Sequence, residues 1–201
     1  MSSEEVAEEK ISFWKQLKED FYVPRNNDPA LDNNLELVFN YPGVWAIINY
    51  RIANKLYYKG WKKLSRVISG ISSFLTKTDI HPACTIGRRV FIDHAIGVVI
   101  GATAIVEDDV LIYQGVTLGG VSLNKGKRHP TVKSNTVIGS GAKVLGNITI
   151  GKNVFINSGC RFQDQGGIRI GDGTLIGHNV VITTLNHNFE PLFRSILKKA
   201  S

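Results

Sequence analysis

The chain has 201 residues, of which 43% are hydrophobic and 20% are charged, and this composition excludes an intrinsically disordered protein. No apolar run reaches about 18 residues, and the cations are scattered rather than grouped with aromatic residues. We therefore predict neither a membrane nor a nucleic-acid partner, despite a net charge of +7. The two cysteines, Cys84 and Cys160, and the lack of a charged and apolar leader predict a reducing, cytoplasmic location without disulfides.

Residues 1–77 are predicted to form an α-helical N-terminal domain. Apolar residues follow helical spacing in a first segment near residues 11–21, and Pro, Asn and Asp residues mark a loop over 24–34. Two further helical segments are predicted over 35–57 and 61–76. The second carries one apolar stripe, formed by Leu64, Val67, Ile68, Ile71 and Leu75.

From Ile86 to Ile182, an aliphatic residue followed by a small or polar one recurs about every six positions. This period fits neither an α-helix nor a hairpin sheet, but it is typical of a coil with three short strands per turn. The sequence thus predicts an α + β-solenoid protein, in which a left-handed parallel β-helix over 78–190 precedes a short basic tail, 191–201. The inward positions are Ile86, Ile92, Ile100, Val106, Ile112, Leu118, Ile138, Val144, Ile150, Ile156, Phe162, Ile170, Ile176 and Ile182.

The period is interrupted three times, and function is expected at the interruptions because identical turns carry no chemistry by themselves. The first interruption holds Asp93 and His94, the second is an inserted loop over 121–135, and the third is the segment 164–167. The cationic side chains of the inserted loop are Lys125, Lys127, Arg128, His129 and Lys133.

Several motifs between about residues 14 and 157 resemble the serine O-acetyltransferases in their shorter bacterial form. Many acyltransferases share a hexapeptide pattern, whereas the ordered Asp-His, Gly-Gly and Arg-His-Pro elements are specific. The motifs are Asp28-Pro29-Ala30, Tyr50-Arg51-Ile52-Ala53, Asp79-Ile80-His81-Pro82, Ile92-Asp93-His94, Gly97-Val98-Val99-Ile100-Gly101, Gln114-Gly115-Val116-Thr117-Leu118-Gly119-Gly120, Gly126-Lys127-Arg128-His129-Pro130 and Gly141-Ala142-Lys143-Val144-Leu145-Gly146-Asn147.

The resemblance implies an enzyme that transfers the acetyl group of acetyl-CoA to the hydroxyl of L-serine, giving O-acetyl-L-serine, the first step of cysteine biosynthesis. An alcohol is a poor nucleophile until a base accepts its proton, and His94 is our candidate for that base. The resemblance implies Asp79 as the carboxylate that fixes the tautomer of His94 and stabilises the imidazolium.

Serine is a zwitterion, so its site needs carboxylates for the amine and cations for the carboxylate. The resemblance implies that Asp28 and Asp93 bind the amino group, and that Arg128 and His129 bind the carboxylate or an oxyanion. Asp28 has an equal alternative role as a helix cap in its Asn-Asn-Asp-Pro turn. For Arg128 and His129 the alternative is a solvated charged loop.

Acetyl-CoA is the implied co-substrate, and no metal is expected. Its extended arm and phosphates suit a groove between coils lined by backbone amides and lysines. The resemblance places this groove at Gly120, Ser140, Gly141 and Ala142, which are otherwise only corners of the coil. It also implies a homotrimer with sites between adjacent subunits, and trimers pairing through the helical domains would give a hexamer.

The sequence departs from this pattern at two places. Ala102 stands where the family usually has Glu. From about residue 159 to 190 the chain is instead similar to maltose- and galactoside-type sugar O-acetyltransferases, with His187 where that family keeps its catalytic base. The last residues lack the terminal Ile that inserts into cysteine synthase, so we do not predict that complex.

Three alternatives to a serine acetyltransferase follow from these departures and from the fold. One is a sugar O-acetyltransferase that uses His187, and another is an inactive hexapeptide-repeat scaffold. A γ-type carbonic anhydrase shares the fold but needs three clustered histidines, and the five histidines here lack suitable spacing.

Overall fold

The computed structural model describes residues 11–184, in which a group of α-helices precedes a stack of short parallel strands. The first and third helices begin at side-chain caps. The Ser12 side chain accepts the Lys15 N–H at the start of the first helix, and Asn33 and Glu36 form a capping box at the third. The helices are α1 Phe13–Tyr22, α2 Pro24–Asn27, α3 Asn34–Phe39, α4 Pro42–Tyr58 and α5 Lys62–Thr76.

Sixteen strands of two or three residues follow within the described range, in three parallel sheets. Sheet A has the order β1-β4-β7-β10-β13-β16, sheet B contains β2, β5, β8, β11 and β14, and sheet C contains β3, β6, β9, β12 and β15. Each turn of the coil contributes one strand to each sheet. The strands are β1 Asp79–Ile80, β2 Thr85–Ile86, β3 Phe91–Ile92, β4 Val99–Ile100, β5 Ile105–Val106, β6 Leu111–Ile112, β7 Thr117–Gly119, β8 Thr131–Val132, β9 Val137–Ile138, β10 Lys143–Leu145, β11 Thr149–Ile150, β12 Phe155–Ile156, β13 Arg161–Gln163, β14 Arg169–Ile170, β15 Leu175–Ile176 and β16 Val181–Thr183.

The predicted inward row forms the core of the solenoid. Its members from Ile86 to Phe162 are at most 4% exposed, so the predicted fold class, a helical domain followed by a parallel β-solenoid, is confirmed. Burial decreases toward the last strands of the sheets, where Ile176 is partly buried and Ile182 is 38% exposed. These strands pair on one side only within residues 11–184.

The range 121–135, predicted as loop, contains one further repeat. Thr131–Val132 forms β8, which pairs with β5 and β11, and Val132 is fully buried. Val132 lies six residues before Ile138, so the repeat resumes there, and the inserted loop is correspondingly shorter than the sequence gap suggested. Ile80 likewise adds an inward residue before Ile86, and it is 5% exposed.

Helix α4 attaches the helical domain to the first coil. The buried Arg51 guanidinium pairs with Asp20 of α1 at 2.9 Å and also donates to the carbonyl oxygens of Ile86 and Gly87. The Tyr50 hydroxyl donates to the Cys84 carbonyl at 2.8 Å. These bonds join two helices to one end of the solenoid and fix their relative positions.

Helix α5 is oriented with its small polar face inward. Ser65, Ser69, Ser72 and Thr76 are buried on the face of α5 that packs against α4. The predicted apolar stripe lies on the outside of the described chain, apart from Ile68, which is half-buried. No helix within residues 11–184 is both long enough and apolar enough to cross a membrane.

Candidate active site

The predicted site residues lie at two corners of the solenoid, one on each side of sheet A. The C–A corner is the turn from sheet C into sheet A, and it carries Asp93, His94 and the segment 140–141. The A–B corner is the turn from sheet A into sheet B, and it carries Gly120 and the inserted loop. The two corners therefore hold different halves of the predicted chemistry.

His94 projects from a strained turn at the C–A corner. Its side chain is 71% exposed, and Nε2 lies 3.7 Å from Oδ2 of Asp93. His94 and Ala95 have φ values of 56° and 61°, in the left-handed region. This conformation costs roughly 1–2 kcal/mol for a residue with a Cβ. Two strained residues in succession, at the first interruption of the repeat, point to a functional turn.

A carboxylate and a phenol from the helical domain complete the cluster around His94. Oδ1 of Asp28 accepts the Ala30 N–H at 2.8 Å, and Oδ2 accepts the Tyr41 hydroxyl at 2.7 Å. The Tyr41 hydrogen bond is the main cause of a lowered pKa of Asp28, and the charge of His94 contributes to it. Burial, together with Asp28 and Asp93, raises the pKa of Tyr41. Thus Asp28, Tyr41, Asp93 and His94 form one electrostatic group, which we call the His94 cluster.

Asp28 is held in this cluster by a local turn and does not cap a following helix. It ends α2 and closes a turn onto Ala30, while Asn33 caps α3. Tyr41 was missed by sequence reasoning, because an aromatic residue before Pro42 is typical of packing at a helix start. Its hydrogen bond to Asp28 across 13 residues is visible only in the fold.

Asp79 lies on the strand next to the His94 turn. Within residues 11–184, the carboxylate that lies within 4.0 Å of the His94 imidazole belongs to Asp93 and not to Asp79. The residue before Asp79, Thr78, donates to the carbonyl of Ala95 at 3.0 Å, so the two backbones are adjacent. Asp79 is exposed at the start of β1, and its pairing with His94 stays a prediction.

His129 lies at the A–B corner and is 6% exposed. Its Nδ1 accepts the Thr103 N–H at 3.2 Å, so the proton of the neutral ring resides on Nε2. Burial, Arg128, Lys127 and His81, in that order, lower the pKa of His129. The lowered pKa favours the neutral ring, in which Nε2–H is the donor.

A close glycine contact makes room for the His129 ring. A Cβ built on Gly101 would lie 2.0 Å from Cδ2 and 2.1 Å from Nε2 of His129, distances that no real side chain tolerates. Gly101 is thus required for the ring to occupy its place. Gly120 faces the same loop, since a Cβ there would lie 3.0 Å from the Arg128 carbonyl oxygen.

The inserted loop is fixed by its own cations and borders a groove of about 910 Å³. Lys127 Nζ donates to the carbonyls of Thr103 and Pro130, at 2.7 and 3.1 Å, and Arg128 donates to the carbonyl of Ser122 at 2.9 Å. The charged residues that line the groove are Lys125, Lys127, Arg128, Asp164 and Arg169. The excess of cations suits an anionic ligand.

The other predicted cofactor residues are on the C–A corner. Gly141 has φ 72° and donates its N–H to the Gln114 carbonyl at 2.8 Å, and Ser140 is half-buried beside it. Ala142 is a correction, because its side chain is 0% exposed in the core and cannot contact a ligand. Its N–H and carbonyl also bond to Gly139 and Thr117 within the coil.

Sheet A separates the His94 cluster from His129 within one chain. Gly97 ends the C–A corner and Gly101 begins the A–B corner. The four residues of strand between them span roughly 13 Å. The His94 imidazole and the Arg128-His129 pair are therefore at opposite edges of the same sheet. His187, the alternative base, lies outside the described residues. Residues 11–184 contain no group of three His, Cys, Asp or Glu side chains arranged to hold a metal ion.

Comparison with known proteins identifies the family. Residues 129–163 match the family described as bacterial transferase hexapeptide (six repeats). The chain is 51% identical to a serine acetyltransferase of Synechococcus elongatus over 73% of its length and 60% of the relative. It is 45% identical to that of Bacillus subtilis, over 84% of its length and 71% of the relative.

A solved structure that is similar to this chain is also that of a serine acetyltransferase. The crystal structure of a serine acetyltransferase from Brucella abortus strain S19, in complex with coenzyme A, superposes with a TM-score of 0.72 at 36% identity. The match covers 87% of this chain and 66% of the Brucella chain. None of these three relatives is named for a sugar substrate or as an inactive scaffold. The chain belongs to the serine acetyltransferase family.

Proposed function

We propose that the protein transfers the acetyl group of acetyl-CoA to the hydroxyl of L-serine, giving O-acetyl-L-serine and CoA. The observation that carries this proposal is the pair of oppositely charged clusters, each suited to one end of a zwitterion. They are the His94 cluster, with its carboxylates, and the Arg128-His129 pair of the inserted loop, with its cation. The names of the relatives support serine as the substrate, and the coenzyme A complex of the Brucella relative supports the acetyl donor.

His94 acts as the general base. Its exposed Nε2 takes the serine Oγ proton as Oγ attacks the thioester carbonyl, and the proton then passes to the departing CoA sulfur. Asp79 lies on the neighbouring strand and fixes the imidazole in the required tautomer. The strained turn holds the ring outside the coil, where substrate can reach it.

The two clusters divide the recognition of serine. The carboxylates of Asp28 and Asp93 bind the ammonium group, and Tyr41 keeps Asp28 ionised and oriented through their 2.7 Å hydrogen bond. Arg128 and the Nε2–H of His129 bind the carboxylate. A sugar lacks both charges and would leave these groups unpaired, which disfavours the sugar alternative.

A homotrimer brings the two clusters together. In one chain they lie on opposite edges of sheet A, so a neighbouring copy has to place its A–B corner against the C–A corner of the first. The same arrangement unites Gly120 of one copy with Ser140 and Gly141 of the next around the acetyl-CoA arm. The cationic groove then receives the phosphates. A pair of such trimers joined through the helical domains is a hexamer.

Substrate choice and the role of His94 can be tested by one assay. Thiol release from acetyl-CoA is measured with L-serine and with a panel of sugars. We expect release with serine alone, and His94→Ala should lower kcat by about 10²–10⁴-fold. His178→Ala, an exposed histidine of the last coil, is the matched control and should leave kcat unchanged. Unaltered turnover in His94→Ala would refute the mechanism.

Complementation tests whether the site lies between copies. His94→Ala and His129→Ala chains, each inactive alone, are unfolded, mixed and refolded together. If one site takes His94 from one copy and His129 from another, random assembly of equal amounts gives both residues to about a quarter of all sites, and to one of the three sites in each mixed trimer. A site within one chain would give no recovery, and that result would rule out the shared arrangement.

A further inference from the structure

Helix α5 has its large apolar side chains on the outside of the chain. The side chains of its buried face are small and polar, as described above. The outward residues are between 43% and 73% exposed, and they are Leu64, Val67, Ile71, Phe74 and Leu75. Scattered exposed apolar residues are ordinary, but a continuous stripe along one helix marks an interaction surface. We call these five residues the α5 stripe.

The spacing of the α5 stripe fits a partner helix. Leu64, Val67, Ile71 and Phe74 follow each other at intervals of three, four and three residues, which is the spacing of the a and d positions in a coiled coil. Such a seam is narrow and straight. A second helix can lie along it, with its side chains between those of α5.

Gly70 gives a second, independent indication of a helix partner. It lies in the middle of α5, where glycine destabilises a helix relative to alanine. A Cβ on Gly70 would meet no atom within 4 Å in the described chain, so no contact within this chain requires a glycine. A glycine there permits close approach of another backbone, which a lipid surface does not need.

We propose that α5 packs in parallel against α5 of the neighbouring copies, around the axis of the trimer. Helix α5 ends at Thr76, and β1 of sheet A begins at Asp79, so the stripe leads directly into sheet A. In the trimer proposed above, sheet A is the sheet that faces the neighbouring copies. The seam fixes the position of Asp79 through this short connection. The inference uses the proposed trimer but does not depend on the reaction it catalyses.

Charge selects the parallel direction. Lys63 and Lys77 flank the stripe on one side, and an antiparallel pair would place these two lysines against each other. In a parallel arrangement, Lys63 and Gly70 face the Ile68 and Leu75 positions of the next copy. No like charges then meet across the seam, and Leu75 fills the space above Gly70.

Sedimentation of the full chain tests the seam. Ile71→Glu should raise the concentration at which the trimer dissociates by at least about tenfold, because it places carboxylates together on the axis. Leu35→Glu alters a side chain of α3 that is 71% exposed, and it is the matched control with no expected effect. Circular dichroism checks that both variants fold. An unchanged dissociation concentration for folded Ile71→Glu would overturn the proposal.

Cross-linking tests the direction and does not depend on activity. Both native cysteines are fully buried, so a cysteine introduced on the surface reacts selectively. With a short bismaleimide, Leu64→Cys should link copies to each other, whereas Leu35→Cys should not. Lack of a link at position 64 would overturn the parallel seam. Binding of the wild type to phosphatidylglycerol vesicles that is lost in Ile71→Glu would assign the stripe to lipid instead and would also overturn the proposal.

Discussion

The contact between Gly101 and His129 gives a quantitative prediction. Alanine at position 101 introduces a Cβ that would lie 2.0 Å from Cδ2 of His129. Carbon atoms need about 3.5 Å, so the ring has to move by roughly 1.5 Å. That displacement breaks the 2.8 Å contact between Thr103 Oγ1 and Nδ1 and moves Nε2 away from the position at which we propose that it binds the serine carboxylate.

The expected loss follows from this displacement. A misplacement of about 1 Å in a positioning group can lower the rate by about 10²-fold, so we expect Gly101→Ala to lower kcat/KM for L-serine by about that factor. This corresponds to about 2.7 kcal/mol of transition-state stabilisation. Overpacking should lower the free energy of unfolding by about 1–3 kcal/mol. Thiol release and urea unfolding measure the two quantities.

Gly177→Ala is the matched control. Gly177 follows Ile176 as Gly101 follows Ile100, but a Cβ at 177 meets no atom of residues 11–184 within 4 Å. This variant should retain activity and stability. If Gly101→Ala keeps kcat/KM within about twofold of the wild type, the His129 ring does not need its observed position, and its assigned role in serine binding is wrong.

Three further predictions concern the helix attachment, the amine site and pH. Arg51→Ala should lower the free energy of unfolding by about 3–5 kcal/mol, because it leaves the Asp20 carboxylate buried and unpaired; a loss below about 1 kcal/mol in urea unfolding would contradict this. Asp28→Asn should raise KM for L-serine about tenfold with kcat nearly unchanged, and an equal loss in kcat would assign Asp28 to the chemical step instead. Folding lowers the pKa of His129 below its ordinary 6.5, so the neutral ring is favoured in the folded state, and stability should fall as pH drops below about 6.5. His129→Gln should reduce that slope in urea unfolding between pH 7 and 5, and an identical slope would exclude His129 as its source.

The six-residue period predicted the solenoid core because each inward residue stacks on its counterpart in the next turn. Val132 was missed because the inserted loop shifts the phase of the repeat, and phase can be recovered only by counting back from Ile138. In the structure, the pairing of β8 with β5 and β11 identifies Val132 as an inward residue of the repeat.

Periodicity could predict that α5 is a helix but not which face it buries. Ser65, Ser69, Ser72 and Thr76 repeat with the same helical spacing as the apolar stripe, and burial of the apolar set is the ordinary expectation. The chain instead buries the smaller face against α4, since small side chains let the two helices approach closely.

The candidate site was predictable in part. Interruptions of the repeat predicted His94, Arg128 and His129 as site residues, because identical turns carry no chemistry by themselves, and their roles stay predictions. The pairing of Tyr41 with Asp28, and the separation of the two clusters by sheet A, depend on how α4 meets the first coil. These are long-range consequences of packing, and no local pattern encodes them.

The attachment of α4 has a consequence for how the protein fails. Asp28 and Tyr41 lie on the segment between α2 and α4. Their distance from His94 therefore depends on how α4 packs, through Tyr50 and Arg51, against the first coil of the solenoid. The helical domain therefore covers one end of the solenoid and also carries Asp28, which we propose binds the serine amine. Heating that detaches α4 from the first coil should therefore abolish activity while the rest of the solenoid is still folded.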